Sequence, residues 1–176
     1  MTFESASVAA RFEHTGVVGN ETAQTLGLVG PVARASGCDR DVRRDHAFGI
    51  FRLAQIPVAL TEAGDVMARA LVRWLETRRS LSFVREQLAE IPNGPLAIDL
   101  GSCSPRSLVV SMVEGWRGEI LHVAITDKTG QLLDYKVVDP SFHNWFGLAM
   151  ALRGQQISDF PLCNKSFNLS YAGHDL

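Results

Sequence analysis

The sequence predicts an α+β fold that is mainly helical, with a long helix and shorter helical segments packed with a small antiparallel sheet. Three observations predict it. Apolar residues recur at spacings of mostly three and four from Met67 to Ile91, with no glycine or proline between them. From Leu108 to Val138 the composition changes to strand formers in three runs separated by turn residues. The order is helices, strands, helices, without the alternation that builds a parallel sheet.

The elements follow in chain order. Phe3, Val8, Ala9 and Phe12 predict a short amphipathic helix over 3–13, stopped by Gly16. Asn20 can cap a helix over 20–26 that ends at Gly27. Gly30-Pro31 starts a short helix that Gly37 closes. The long helix begins at Thr61 or Asp65 and runs to Ile91, with Met67, Leu71, Trp74, Leu75, Leu81, Val84 and Leu88 on one face. Its other face, Arg69, Arg73, Glu76, Arg78, Arg79, Arg85, Glu86 and Glu90, reads as solvated, or alternatively as a docking face.

Pro92-Asn93-Gly94-Pro95 breaks that helix, and Gly101 to Pro105 reads as a surface linker. Strands are predicted over 108–113, 119–125 and 132–138. Gly115 to Gly118 and Thr126 to Gly130 form the two turns, and the last two strands pair as a hairpin. Asp139-Pro140-Ser141 begins a helix with Trp145, Leu148, Ala149 and Leu152 on one face, and a last helix runs from Ser158 to about Asn164. The chain thus divides into a helical part over 1–92, a strand-rich part over 106–140 and a C-terminal helical part over 141–176.

With 176 residues, 46% hydrophobic and 20% charged, the chain can bury a core as one domain. A net charge of -2 removes the broad positive field of nucleic-acid binders. No stretch reaches the ~20 apolar residues of a membrane span, and Met-Thr-Phe-Glu-Ser is no signal peptide, so a soluble chain is expected. Cys38, Cys103 and Cys163 lie far apart, without the two-residue spacing of a metal or redox pair. They are expected as reduced, buried thiols of a cytosolic protein. The five histidines show no ligand spacing, Gly27-Leu28-Val29-Gly30 is not a phosphate loop, and no serine sits in a nucleophile elbow.

One segment concentrates charge. Asp39 to His46 carries seven ionisable side chains, with Arg34 just upstream. Alternating arginines and carboxylates suit a salt-bridge network that holds an irregular loop; an anion or redox site beneath it is the functional alternative.

The run from Thr15-Gly16-Val17 through Gly27-Leu28-Val29-Gly30-Pro31-Val32-Ala33-Arg34-Ala35-Ser36-Gly37-Cys38-Asp39-Arg40-Asp41-Val42-Arg43-Arg44-Asp45-His46 resembles the large subunit of energy-converting, formate-hydrogenlyase type nickel-iron hydrogenases. That family includes the 49 kDa subunit of NADH-quinone oxidoreductase. Gly64 to Arg69, Glu114 to Glu119, Asp139 to Trp145 and Ala151 to Gly154 match further, in family order. The resemblance implies the C-terminal half of a hydrogenase large-subunit-like fold. It also implies oxidoreductase function as part of a complex: electrons pass from an iron-sulfur cluster in a partner subunit to quinone or another acceptor, with NAD(P)H oxidation at the level of the complex. Arg34, Asp39, Arg40, Asp41, Arg43 and Arg44 would then lie near the family's active site. The implied partners are an iron-sulfur small subunit and membrane subunits, with no nucleic acid and no direct membrane insertion. The implied location is peripheral, on the cytoplasmic face of the membrane.

The departures from the family pattern shape the remaining expectations. Family hydrogenases hold nickel and iron with two Cys-x-x-Cys pairs, because soft thiolates suit these metals. This chain begins downstream of the first pair, and Ser170 and Gly173 stand where the second pair's cysteines would be, with Asn168 and Leu169 in place of Asp-Pro. No nickel-iron centre and no cofactor bound by this chain are therefore expected. The chain stops at Leu176, three residues after Gly173, so no C-terminal extension to process is expected. Quinone-reducing relatives also lack those cysteines, but their quinone-contacting histidine and tyrosine lie in the N-terminal half. That half is expected either as a separate chain or as a part removed, and the isolated chain is expected to be inactive. A non-catalytic hydrogenase-like assembly or binding module is the alternative.

Overall fold

Ser5 leads into α1 (Ala6–Phe12), three residues shorter at its start than the apolar spacing suggests. The computed structural model describes Phe3 and residues 5–95 and 97–175, so Glu4, within the expected first helix, and the terminal Leu176 lie outside the described residues. In α2 (Asn20–Thr25) the cap is Gly19; Asn20 is instead the first helical residue, and its Nδ2 donates to the Ser36 carbonyl at 2.9 Å. Pro31 sits in the first turn of α3 (Gly30–Ala35), all six residues of which are buried. The charged segment is not wholly irregular: it contains one helical turn, α4 (Val42–Asp45), capped where the Asp41 carboxylate accepts the Arg43 N–H at 2.9 Å.

A 3-10 turn (Gly49–Arg52) follows, then α5 (Val66–Ala89), capped by Asp65 accepting from the Ala68 N–H at 2.7 Å. Here the expected faces are partly reversed. Arg69 and Arg73 are buried and Glu76 nearly so, whereas Leu81, Val84, Leu88 and Ile91 are exposed. The burial is possible because backbone oxygens take up the guanidinium donors. Arg69 donates to the carbonyls of Gly64 (2.7 Å) and Gly16 (3.0 Å) and to Ser166 Oγ (2.8 Å), and its guanidinium lies 4.5 Å from the Phe167 ring centroid. Periodicity reports which residues share a face; it does not report which neighbours supply acceptors.

The sheet has the order β1-β2-β3, formed by β1 (Leu108–Gly115), β2 (Gly118–Thr126) and β3 (Leu132–Val138), all antiparallel. Leu108 pairs with Ile125 and Gly115 with Gly118, so Trp116 and Arg117 form the β1–β2 turn. β1 and β3 are mostly exposed, and the tip of the β1–β2 hairpin is what enters the helical body. After it come α6 (Pro140–Ala151), a 3-10 turn (Ile157–Asp159), α7 (Phe160–Phe167) and the single turn α8 (Tyr171–His174). Ala149, expected on the inner face of α6, is exposed; Ser141, Asn144, Gly147 and Leu148 are inward instead. The last long helix runs past Asn164 to Phe167, where Asn168 stops it in the left-handed region at φ 56°.

The main core joins Val18, Val32, Val66, Leu148 and Phe167, which brings α3, α5, α6 and α7 together. Only Cys163 meets the expectation of a buried thiol: Cys38 is half-buried and Cys103 exposed. Burial raises the pKa of both Cys38 and Cys163.

Asn144 locks this core to the hairpin tip. Its Oδ1 accepts the Val29 N–H at 2.9 Å, while Nδ2 donates to the carbonyls of Val29 and Arg117, both at 3.2 Å. Replacing Asn144 by alanine leaves those groups buried without partners, an expected loss of about 2–3 kcal/mol in urea unfolding. A change below about 0.5 kcal/mol would mean that these bonds are not made in solution.

Candidate functional site

α3, α4, α5 and the end of β1 meet around Arg34, whose side chain is fully buried. Its Nε and Nη2 bond the Glu76 carboxylate at 2.7 and 3.2 Å, Nη2 also bonds Glu114 at 2.8 Å, and Nη1 lies 3.5 Å from Asp41 and donates to the Arg40 carbonyl at 2.9 Å. Arg43 grips the Asp41 carboxylate in a fork, at 2.9 and 2.5 Å, and reaches within 3.8 Å of Glu76. Two guanidinium groups thus face three carboxylates in a nearly water-free junction.

Burial opposes charge on Arg34, but Glu114 and Glu76 outweigh it and raise its pKa. Burial likewise acts to raise the Asp41 carboxyl, yet the Arg43 bonds and the Arg34 charge hold it below the usual range. Glu114 behaves differently. Burial dominates, Arg34 is shared with two other carboxylates, Asp41 repels it, and its pKa is raised.

Of the six residues singled out in the sequence, Arg34, Asp41 and Arg43 enter this buried junction. Asp39, Arg40 and Arg44 do not: they form a rim at the surface, with Arg44 paired to Asp39 (2.7 Å) and Asp45 (2.8 Å), and Arg40 to Glu119 (2.7 Å). Sequence reasoning missed Glu76 and Glu114, which supply two of the three buried carboxylates. Glu76 stands seven residues after Arg69 on the face taken as solvated, and Glu114 opens the Glu-Gly-Trp-Arg-Gly-Glu run; both signals were present but gave no spatial partner.

The junction borders a cleft of about 400 Å³ between α5 and the hairpin tip, lined by Arg43, Arg73, Glu76 and Glu114 together with Pro31, Leu81, Val84 and Trp116. Arg43 also lines a second cleft of about 730 Å³ beneath residues 47–60.

The two degenerate positions lie elsewhere, at α8. Ser170 is its cap: Oγ accepts the Gly173 N–H at 3.0 Å, and its own N–H donates to Ser141 Oγ at 2.9 Å. A Cβ placed on Gly173 would lie 2.6–2.9 Å from the Asp139 carboxyl atoms, and Asp139 is committed to capping α6. A side chain at position 173 would require that carboxylate to give up its place at the α6 cap. Among the described residues, no group of three or more His, Cys, Asp or Glu side chains is placed to hold a metal ion.

Asp41 gives a pH dependence with a definite sign. Its folded pKa is below the unfolded value, so its contribution is complete above about pH 4 and is lost as pH falls through the folded value. The stability difference between the wild type and Asp41→Asn should be several kcal/mol at pH 7. It should shrink steadily below about pH 4 in urea unfolding; a difference constant from pH 7 to pH 2 would remove Asp41 from the junction.

The chain is a helical body with an antiparallel hairpin whose tip docks beside a buried arginine–carboxylate junction. The chain aligns with one in the structure of the membrane-bound sulfane sulfur reductase, an archaeal respiratory membrane complex, at a TM-score of 0.90 and 23% identity, over 99% of this chain and 49% of the other. The chain belongs to the family described as the 49 kDa subunit of respiratory-chain NADH dehydrogenase, which matches residues 1–104 and 97–175.

Among its relatives, the carbon monoxide-induced hydrogenase of Rhodospirillum rubrum is 33% identical over 92% of this chain and 45% of that protein. Formate hydrogenlyase subunit 5 of Escherichia coli is 32% identical over 88% and 27%, and an NADH-quinone oxidoreductase subunit of Herpetosiphon aurantiacus is 28% identical over 90% and 45%. The chain spans less than half the length of these curated relatives. No helix among the described residues is long and apolar enough to cross a membrane.

Proposed function

We propose that the chain serves as the C-terminal portion of a redox-complex subunit, in which electrons from an iron-sulfur cluster of a partner subunit reach quinone or another acceptor at the subunit interface. The observation that carries this reading is the match to a hydrogenase over 92% of the chain, alongside comparable coverage by a quinone oxidoreductase subunit. The assembly would be peripheral on the cytoplasmic face of the membrane, held by membrane subunits, with NAD(P)H oxidation a property of the whole complex. The chain itself binds no nickel or iron in this reading, supported by the capping roles of Ser170 and Asp139 and by the closeness of the Asp139 carboxylate to Gly173. Its own contribution is the charged junction beside the cleft.

The same filled position favours a second reading, a non-catalytic assembly or binding module. Purification from the organism that encodes it, through a tag on this chain and in mild detergent, separates the two. The redox reading expects co-purifying iron-sulfur and hydrophobic subunits, acceptor-reducing activity, and nickel far below one per complex. Partners without any redox activity would establish the module instead, and stoichiometric nickel lost with Cys38, Cys103 and Cys163 would overturn the metal-free assignment.

A further inference from the structure

Arg73 is 8% exposed, and no carboxylate lies within ion-pairing distance of it among the described residues. Its Nη1 donates to the carbonyls of Ser166 and, at 3.4 Å, Arg69; Nη2 donates to Phe167 at 3.0 Å. Nε has no partner and is sealed from water. Glu76 attracts it but is already held on both oxygens by Arg34, while Arg34 and Arg117 repel it. Burial and those repulsions push its pKa down to about 10, which still leaves it charged at neutral pH. A buried guanidinium satisfied only by carbonyls, with an orphaned donor, is a costly arrangement that a bound anion would relieve.

The surroundings say what kind of anion. Arg73 lines the cleft of about 400 Å³, a size in the ~300–1,000 Å³ range of ligand pockets. The other charged side chains on its wall, Arg43, Glu76 and Glu114, are engaged with one another or with Arg34. The apolar part of the lining comes from Leu81 and Val84, further along the same helix α5, and from the ring of Trp116, 53% exposed, which lies 5.7 Å from the Arg73 guanidinium. We infer that this cleft binds an amphipathic carboxylate, whose head takes the free Nε–H of Arg73 by displacing the Trp116 ring and whose apolar body lies along Leu81 and Val84. The site is separate from the Ser170–Gly173 region and does not depend on the electron-transfer reading.

Calorimetric titration of the full chain with octanoate tests it, with octanol as the uncharged probe of equal length. Octanoate should bind saturably, at least tenfold more tightly than octanol, and change Trp116 fluorescence in a Trp74→Phe, Trp145→Phe background. Arg73→Met should reduce octanoate binding to the octanol level. Since Arg73 also ties α5 to α7, Val84→Trp serves as the second variant: Val84 is exposed on the cleft wall, so a larger ring fills the cleft without touching the core, and octanoate binding should fall more than tenfold. Equal binding of octanoate and octanol, no octanoate binding at all, or octanoate binding unchanged in Val84→Trp would each overturn the inference.

Discussion

Arg34→Met should cost about 3–5 kcal/mol in urea unfolding at pH 7, a large part of the ~5–15 kcal/mol that holds a typical domain together. Methionine fills much of the same volume but leaves Asp41, Glu76 and Glu114 as buried charges with too few partners. The loss comes from stranding the carboxylates rather than from the absent pairings, so neutralising them in the same background should recover part of it. Glu76→Gln and Glu114→Gln added to Arg34→Met should be less destabilising together than the three single effects summed. A loss of about 1 kcal/mol or less would place Arg34 among ordinary surface pairs.

Gly30→Ala should be comparably severe for a different reason. Gly30 has φ +66°, and a Cβ there would lie 2.3 Å from Gly118 Cα and 2.5 Å from the Arg117 carbonyl oxygen. Both obstacles are backbone, so relief requires the hairpin tip to leave the start of α3. The left-handed conformation alone costs an alanine about 1–2 kcal/mol, and the overlap adds about 1–3 kcal/mol. At roughly 2–4 °C per kcal/mol for a chain of this size, the melting temperature should fall by about 10 °C. Gly27→Ala supplies the control: its φ is +65° with nothing within 4 Å, so only the conformational cost should appear. Equal effects at Gly27 and Gly30 would mean that the hairpin tip does not dock as described.

These two residues also mark how far the sequence could be read. Gly30 was legible as the start of a helix, because Pro31 and Gly37 frame it, but its contact with Gly118 spans 88 positions and leaves no local trace. The long helix and the hairpins were legible because period and turn chemistry are local properties; α5 and the three strands fall where those patterns place them. The charged junction was legible only in half. Arg34, Asp41 and Arg43 stand close in sequence, whereas Glu76 and Glu114 arrive from α5 and β1 and look there like ordinary exposed glutamates. For Arg69 and Arg73 the usual rule that arginine faces water pointed the wrong way, since Ser166, Phe167, Gly16 and Gly64 offer oxygens that no pattern in α5 announces. The role of Asp139 beside Gly173 was equally hidden: the sequence showed a missing cysteine, and the structure adds the carboxylate that fills its place.

The most direct measurement is freeze-quench electron paramagnetic resonance of the complex isolated through this chain. The iron-sulfur centre that the proposed function expects is reduced first, and the complex is then mixed with a short-chain quinone. The expected result is a reduced-cluster signal from the partner subunit that decays on mixing, with no nickel signal at any stage. A cluster signal that persists in the presence of quinone and of every other acceptor tried, or the absence of any cluster from the isolated complex, would contradict the redox assignment.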